Sequence, residues 1–172
     1  MNGMVWVRIL IGAVWLNGAM EKLLSPSFPR QFAVSLDAGG YVQQAPSWFQ
    51  DFMRTTVVPN AELVAQLVRF GELTLGLALV LGLLTNPAAV GSILFSLMIF
   101  VSEGGPRLGT GLGPPEFLDI NLLVASISLV ILLSPAAKTL SLDATLVHRS
   151  PRLAPLLTNR RSRTRGGRRS RA

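Results

Sequence analysis

The sequence contains no cysteine and a single histidine, His148, which lies outside every apolar segment. A disulfide framework, a CxxC redox pair, an iron–sulfur site and a cysteine–histidine zinc site are therefore excluded, and we expect no metal site. A membrane haem with two axial histidines is excluded for the same reason. Any redox chemistry would depend on a diffusible cofactor such as a quinone or on another subunit, and we expect no covalently bound cofactor.

Charged residues are also scarce, at 15%, whereas hydrophobic residues make up 49% of the chain. This composition is typical of membrane proteins. The net charge of +7 belongs to the end of the chain, because ten of the sixteen Lys and Arg residues follow Pro135. We predict one membrane domain over residues 1–146 and a basic, disordered cytoplasmic tail over residues 147–172.

Four apolar segments, at about 4–24, 61–84, 87–102 and 116–133, predict an all-α integral membrane four-helix bundle. The first segment is too long for a signal peptide and contains Arg8. Asn86 as N-cap and Pro87 as first helical residue would begin the third helix directly after the second, which predicts an antiparallel hairpin. A short helix from Ser47, a plausible N-cap, to Val57 is expected to lie in the membrane interface within the first outer loop.

The arginines predict the orientation of the bundle. Nine arginines follow the fourth apolar segment, whereas each of the other connections carries at most three bases. The positive-inside rule then places the N- and C-termini in the cytoplasm and both long loops outside. We expect a multi-pass protein of the cell (inner) membrane.

The second apolar segment carries two opposite charges, Arg69 and Glu72. A charge near the bilayer centre costs about 2.5–3.5 kcal/mol on insertion scales, so the pair indicates a functional polar site inside the bundle. The alternative is an i,i+3 ion pair that only fixes helix packing.

Other polar residues of the apolar segments also fall in the predicted outer half, whereas the inner half carries only Arg8, which is expected to snorkel to the cytoplasmic interface. This distribution predicts an outward-facing polar pocket above an apolar floor. Its catalytic candidates are Glu72, Arg69 and Lys22, and its weaker substrate-binding candidates are Asn17, Asp119 and Asn121. Asp119 and Asn121 fit equally well as groups that satisfy the first turn of their own helix.

Three stretches resemble the DoxX/DoxD family of small four-helix membrane proteins, which includes the small subunit of thiosulfate:quinone oxidoreductase. They are RILIGAVWLNGAMEKL, PSWFQDFMRTTVVPNAELVAQLVRFGELTLGLALVLGLLT and LSLDATL, and the resemblance covers Val7 to Leu146. Its most characteristic residues are Arg8, Gly12, Gly18, Lys22, Glu72, Gly76, Gly82 and Asp143. The chain departs from the family pattern at Ser134–Ala137, where a glycine-containing turn is expected, and in its arginine-rich tail.

The resemblance implies a quinone-linked oxidoreductase subunit of the thiosulfate:quinone type, with a second redox subunit as partner. Arg69 and Lys22 would attract a small anionic sulfur substrate, Glu72 would relay protons, and the apolar half would admit a quinone ring. The alternative is a non-enzymatic membrane scaffold or anchor for soluble redox or oxidative-stress proteins. A small-solute carrier is less favoured, because no inverted repeat is visible. The tail is expected to bind anionic lipid rather than nucleic acid.

Overall fold

The computed structural model describes residues 3–37, 40–105 and 119–149. Within these ranges every regular element is a helix, which confirms the predicted all-α class. The α-helices are α1 Gly3–Leu24, α2 Phe28–Asp37, α3 Tyr41–Gln44, α4 Ser47–Phe52, α5 Ala61–Leu81, α6 Thr85–Ser102, α7 Ile120–Leu133 and α8 Leu142–Arg149. A π turn over Met53–Val57 and a 3-10 turn over Val58–Asn60 join α4 to α5, and a second 3-10 turn covers Pro135–Lys138.

Three helices in the described ranges are long and apolar enough to cross a membrane. They are α1, the run Ser47–Leu81 that ends in α5, and α6. Helix α7 is apolar but has 14 residues. The predicted start of this helix at residue 116 lies outside the described residues, as does most of the predicted tail. A fourth membrane span and the orientation of the bundle therefore stay predictions.

Helices α1 and α5 form the most extensive helix contact of the bundle, and glycine makes it possible. A Cβ atom on Gly12 would lie 2.8 Å from the backbone nitrogen of Val80, and one on Gly76 would lie 2.8 Å from that of Leu16. Small residues at a membrane helix interface let the two backbones approach closely. The result is a tight antiparallel pair that sets the relative height of every side chain on α1 and α5.

A hydrogen-bonded chain links α1, α6 and α7 in the core of the bundle. The indole N–H of Trp15 donates to the Ser92 hydroxyl at 2.7 Å, and the Ser92 and Ser128 hydroxyls lie 2.7 Å apart. Each of the two serines is fully buried. Polar groups inside an apolar bundle need partners within the protein, so this chain fixes the three helices against one another.

The start of α6 differs from the prediction that Asn86 caps it and that Pro87 is its first residue. The helix begins at Thr85, after Leu84 with a left-handed φ of 51°. The carboxylate of Asp143 accepts hydrogen bonds from the amides of Leu84 and Thr85, each at 2.7 Å. The cap is therefore supplied by α8, which the local sequence around residue 86 could not indicate.

The prediction that Arg8 snorkels to the cytoplasmic interface is wrong, because its side chain is 1% exposed. The guanidinium donates to the carbonyl oxygens of Ala137 at 2.8 Å and Leu140 at 2.7 Å. Lys138 and Asp143 are also buried beside this segment. We call Arg8, Lys138 and Asp143 the terminal-end cluster. It shows that the bundle half opposite the long loop also contains charges, so the floor is not purely apolar.

A layer of short helices covers the other end of the bundle, where α1 ends and α5 begins; we call this the loop end. Helices α2, α3 and α4 lie here and share an apolar cluster with the start of α5. The expected short helix after Pro46 is present, but its first residue is Ser47 and no side chain caps it. Helix α2, which the sequence patterns did not predict, contacts α5 and lies over the polar groups described next.

Candidate functional site

An ion pair joins α1 to α5 near the loop end. The Lys22 ammonium lies 2.9 Å from Glu72 Oε2, and the two side chains are 25% and 5% exposed. Lys22 also donates to the carbonyl oxygen of Gly18 at 3.3 Å. An ammonium has three N–H donors, so one donor has no hydrogen-bond acceptor among the described residues, although the ammonium lies 5.9 Å from the centre of the Phe28 ring. The second oxygen of Glu72 likewise accepts no hydrogen bond there.

Gly18 leaves the room that this ion pair occupies. A Cβ atom at this position would lie 3.0 Å from Glu72 Oε2 and 3.5 Å from the Lys22 ammonium. Any larger residue would therefore push the carboxylate or the ammonium away. Because Gly18, Lys22 and Glu72 depend on one another sterically, they form one unit of the site.

The ion pair lies in the wall of a cavity of about 390 Å³, which we call the loop-end cavity. Helix α2 forms its cover, and α1, α5 and α6 form its walls. Among the described residues, no group of three or more His, Cys, Asp or Glu side chains is arranged to hold a metal ion. The cavity lining consists of Lys22, Phe28, Gln31, Phe32, Ser35, Leu36, Val68, Glu72, Phe95, Ile99 and Glu103.

Two of the weaker candidates lie at the start of α7. Asp119 is the N-cap residue of this helix, and its carboxylate accepts a hydrogen bond from the amide of Asn121. The Asn121 side chain donates to Glu103 Oε2 at 3.1 Å. Glu103 lines the cavity, whereas neither Asp119 nor Asn121 does. Asp119 thus has the helix-terminal role that the sequence left open, and Asn121 acts on the cavity through Glu103.

Arg69 lies outside the cavity lining. Its guanidinium carbon is 5.2 Å from the centre of the Phe70 ring. Within the described residues Arg69 forms no ion pair, because Glu72 pairs with Lys22 instead. The alternative interpretation of Arg69 and Glu72, an i,i+3 ion pair, is therefore wrong.

Asn17 lies on the outer surface of the bundle rather than in the cavity. It is one residue from Gly18 in sequence, but an α-helix turns 100° per residue, so the two face different surroundings. Its side chain forms no hydrogen bond within the described part of the chain. Position along the membrane normal was thus a poor guide to which residues face inward.

A second concave surface runs along the lipid-facing side of the bundle between α5 and α6. This groove has a volume of about 460 Å³ and an almost entirely apolar lining. A Cβ atom on Gly91 would lie 2.8 Å from Leu75 Cδ2, so glycine keeps the groove open. Phe95 lines both this groove and the loop-end cavity. The Phe95 ring is therefore shared between the groove and the cavity that contains the Lys22–Glu72 pair.

Sequence reasoning missed several residues of the cavity, above all Phe28, Gln31 and Ser35 on α2. Their spacing at i,i+3 and i,i+4 follows a helical period and could have indicated a helix with one face toward the bundle. Phe95 was missed because it lies on α6, whose apolar sequence does not distinguish an inward from an outward face. Glu103 directly follows this helix as its C-cap residue. Phe32, a second aromatic residue of α2, also lines the cavity.

Neither the curated proteins nor the solved structures contain a match to the chain. A family model described as the TQO small subunit DoxD matches residues 4–157, which include every described residue of the cavity and of the terminal-end cluster. The chain therefore belongs to the DoxD family of membrane proteins.

Proposed function

We propose that this protein is the membrane subunit of a quinone-linked oxidoreductase of the thiosulfate:quinone type, and that the loop-end cavity binds the quinone ring. The observation that carries the proposal is the Lys22–Glu72 ion pair in the wall of a cavity that is otherwise largely aromatic and aliphatic. A quinone ring has two carbonyl oxygens that accept hydrogen bonds and an otherwise apolar body. The Lys22 ammonium can donate to a carbonyl oxygen, and the aromatic and aliphatic side chains of the lining match the apolar body.

Lys22 and Glu72 supply complementary chemistry. The N–H donor of Lys22 that has no acceptor among the described residues would hydrogen-bond a quinone carbonyl and stabilise negative charge as the ring is reduced. Glu72, one oxygen of which accepts no hydrogen bond from the described residues, would pass protons to that ring. A quinone that accepts two electrons and two protons becomes a quinol, and two thiosulfate ions that join through a new S–S bond release those two electrons.

The apolar groove supports entry from the membrane. A quinone with a hydrophobic tail is dissolved in the hydrocarbon, and the groove opens toward that region between α5 and α6. Rotation of the Phe95 side chain would connect the groove to the loop-end cavity, because Phe95 lines both. The tail would then lie in the groove while the ring reaches Lys22.

The sulfur substrate has a separate requirement. Glu72 and Glu103 both line the cavity, and Lys22 is its only basic lining residue among those described. Lys22 already pairs with Glu72, so the described lining offers no unpaired cation to a dianion such as thiosulfate. We therefore assign thiosulfate oxidation to a second redox subunit at the loop end, which in the predicted orientation faces outside the cytoplasm.

The test is a quinone-binding and quinone-reduction assay on purified protein in lipid nanodiscs, with and without the genomic neighbour that copurifies with it. Wild-type protein should bind a ubiquinone or menaquinone analogue, and thiosulfate should reduce it when the partner is present. Glu72→Gln should retain binding and lose most of the turnover, whereas Lys22→Met should weaken binding. Arg69→Ala is the matched control, because Arg69 lies outside the lining.

The alternative, a non-enzymatic scaffold for soluble redox proteins, predicts a different pattern. A partner would then copurify in stoichiometric amount with wild type and with a folded Lys22→Met/Glu72→Gln double variant, and neither would bind quinone. Absence of quinone binding in folded wild-type protein would refute our proposal.

A further inference from the structure

Helix α1 exposes a continuous seam on the side away from the bundle core. The spacing along this seam alternates between four and three residues, which is the heptad pattern of a left-handed helix pair. Every member is exposed. Its members are Trp6, Leu10, Ala13, Asn17, Met20 and Leu24.

Asn17 is the polar member of this otherwise apolar seam. It lies seven residues before the end of α1, roughly 10 Å along the helix axis, and hence within the hydrocarbon of a bilayer about 30 Å thick. An unpaired carboxamide is unfavourable there, because lipid tails offer no hydrogen bond. A partner helix would remove this penalty.

Two other exposed polar side chains of the bundle show how a polar group that faces lipid can be hydrogen-bonded without a partner helix. The Thr74 hydroxyl donates to the carbonyl oxygen of Phe70 at 2.8 Å, and the Ser126 hydroxyl donates to that of Leu122 at 2.8 Å. Each hydroxyl thus has a hydrogen-bond acceptor on its own helix. Among the described residues the Asn17 carboxamide finds no such acceptor or donor.

We propose that the α1 seam is the interface of a parallel two-fold dimer, in which the Asn17 side chains of two copies of this chain hydrogen-bond to each other. All copies enter the membrane in the same orientation, so their α1 helices are parallel. A two-fold axis along the membrane normal then brings Asn17 opposite its counterpart. A carboxamide is both donor and acceptor, so this pairing is self-complementary.

The heptad position of Asn17 and the small side chain of Ala13 both favour a second copy of this chain as the partner of the seam. In the heptad, Asn17 occupies an a position, where a single Asn is known to fix register and oligomer state. Ala13, one turn away, lets the two helices approach closely. None of the six seam residues lines the loop-end cavity or the groove between α5 and α6, so a dimer through the seam uses none of their lining residues.

The test uses full-length protein in liposomes. Because the chain contains no native cysteine, Ala13→Cys can be oxidised without competing thiols, and a disulfide requires the two Cα atoms to come within roughly 7 Å. Ala13→Cys should form covalent dimers. Leu129→Cys, on the lipid-facing surface of α7 and 47% exposed, should not.

The contribution of Asn17 is measured by energy transfer between labelled copies at several protein-to-lipid ratios. Asn17→Leu should weaken dimerisation about three- to thirty-fold, as expected for loss of an interhelical hydrogen bond, and Ser126→Ala should leave it unchanged. Leu inserts into membranes more readily than Asn, so Asn17→Leu preserves insertion. Monomeric wild type, failure of Ala13→Cys to cross-link, or unweakened dimerisation of Asn17→Leu would each overturn the proposal.

Discussion

The carboxylate of Asp143 accepts a hydrogen bond from the backbone amide of Thr85 at 2.7 Å, although 58 positions separate the two residues. Helix α6 therefore receives its N-terminal cap from the segment that follows α7. The same carboxylate accepts from the amide of Leu84, so two amides at the start of α6 depend on one side chain. The closing segment of the domain is thus part of the bundle and not an appendage to it.

Asp143→Ala should destabilise the protein by about 2 kcal/mol, because it removes an N-cap and leaves two amides without their acceptor. Asp143→Asn keeps one acceptor oxygen and should have a smaller effect. Asp51→Ala, at an exposed position of α4, is the control. The measurement is unfolding in mixed micelles followed by helical circular dichroism. A variant at residue 143 that unfolds like the control would contradict the capping role.

Gly82→Ala should be more destabilising than Gly105→Ala. Both glycines have a left-handed φ, 64° and 68°, which costs an alanine about 1 kcal/mol. At Gly105 a Cβ atom would meet nothing within 4 Å, but at Gly82 it would lie 2.5 Å from the Arg8 guanidinium. It would also lie 2.5 Å from Ser141 Cβ. The difference in unfolding free energy between the two variants measures the cost of these two steric contacts, and we expect about 1–3 kcal/mol. Equal effects would mean that Arg8 and Ser141 both move away at no cost in stability.

Lys22→Met should destabilise the protein more than Glu72→Gln. The first change leaves a carboxylate that is 5% exposed without its cation, for which the loss is about 3 kcal/mol. The second leaves an ammonium that can reach solvent by extending its side chain. The double variant should recover most of the stability and remain inactive. If the two single effects simply add in the double variant, the ion pair contributes nothing to folding.

Stability should rise with pH through the titration of Lys138. Burial lowers the pKa of Lys138 below its ordinary value of 10.5, and the Asp143 carboxylate only partly opposes this. The unfolded chain then holds the proton more tightly than the folded one, so folding is favoured as pH increases from the lowered pKa toward 10.5. Comparison of wild type with Lys138→Met at several pH values checks this, because the variant should lack that increment. An opposite slope would show that Asp143 dominates.

The parts of the fold that the sequence predicted are those governed by long apolar runs. Helices α1, α5 and α6 follow from length and composition, because a membrane requires internally satisfied backbone over its whole thickness. Glu72 and Lys22 were selected as candidates because a charged side chain within an apolar membrane helix raises the free energy of insertion. The two residues pair because the antiparallel contact between α1 and α5 brings them to the same height in the bundle.

The inward faces of the helices and the partners of the polar residues could not be predicted from the apolar sequences. Asn17 and Arg69 were assigned to the pocket by depth, but a helix that is apolar on all sides gives no period from which to infer its inward face. Arg8 was placed at the membrane surface because its acceptors, the carbonyls of Ala137 and Leu140, are brought to it only by tertiary structure. The presence of charged residues within the apolar helices was predictable, whereas their partners were not.

The distance along the chain between Arg8 and these carbonyls has a consequence for biosynthesis. The acceptors lie 129 and 132 residues later, and a ribosome adds about 5–20 residues per second, so they emerge roughly 7–26 s after Arg8. During that time the first helix holds a guanidinium that has no protein ligand. Nascent chains would therefore retain this helix at the translocon or the lipid headgroups until the last segment of the domain arrives, and chains truncated before Ala137 would be recognised by membrane proteases as unassembled.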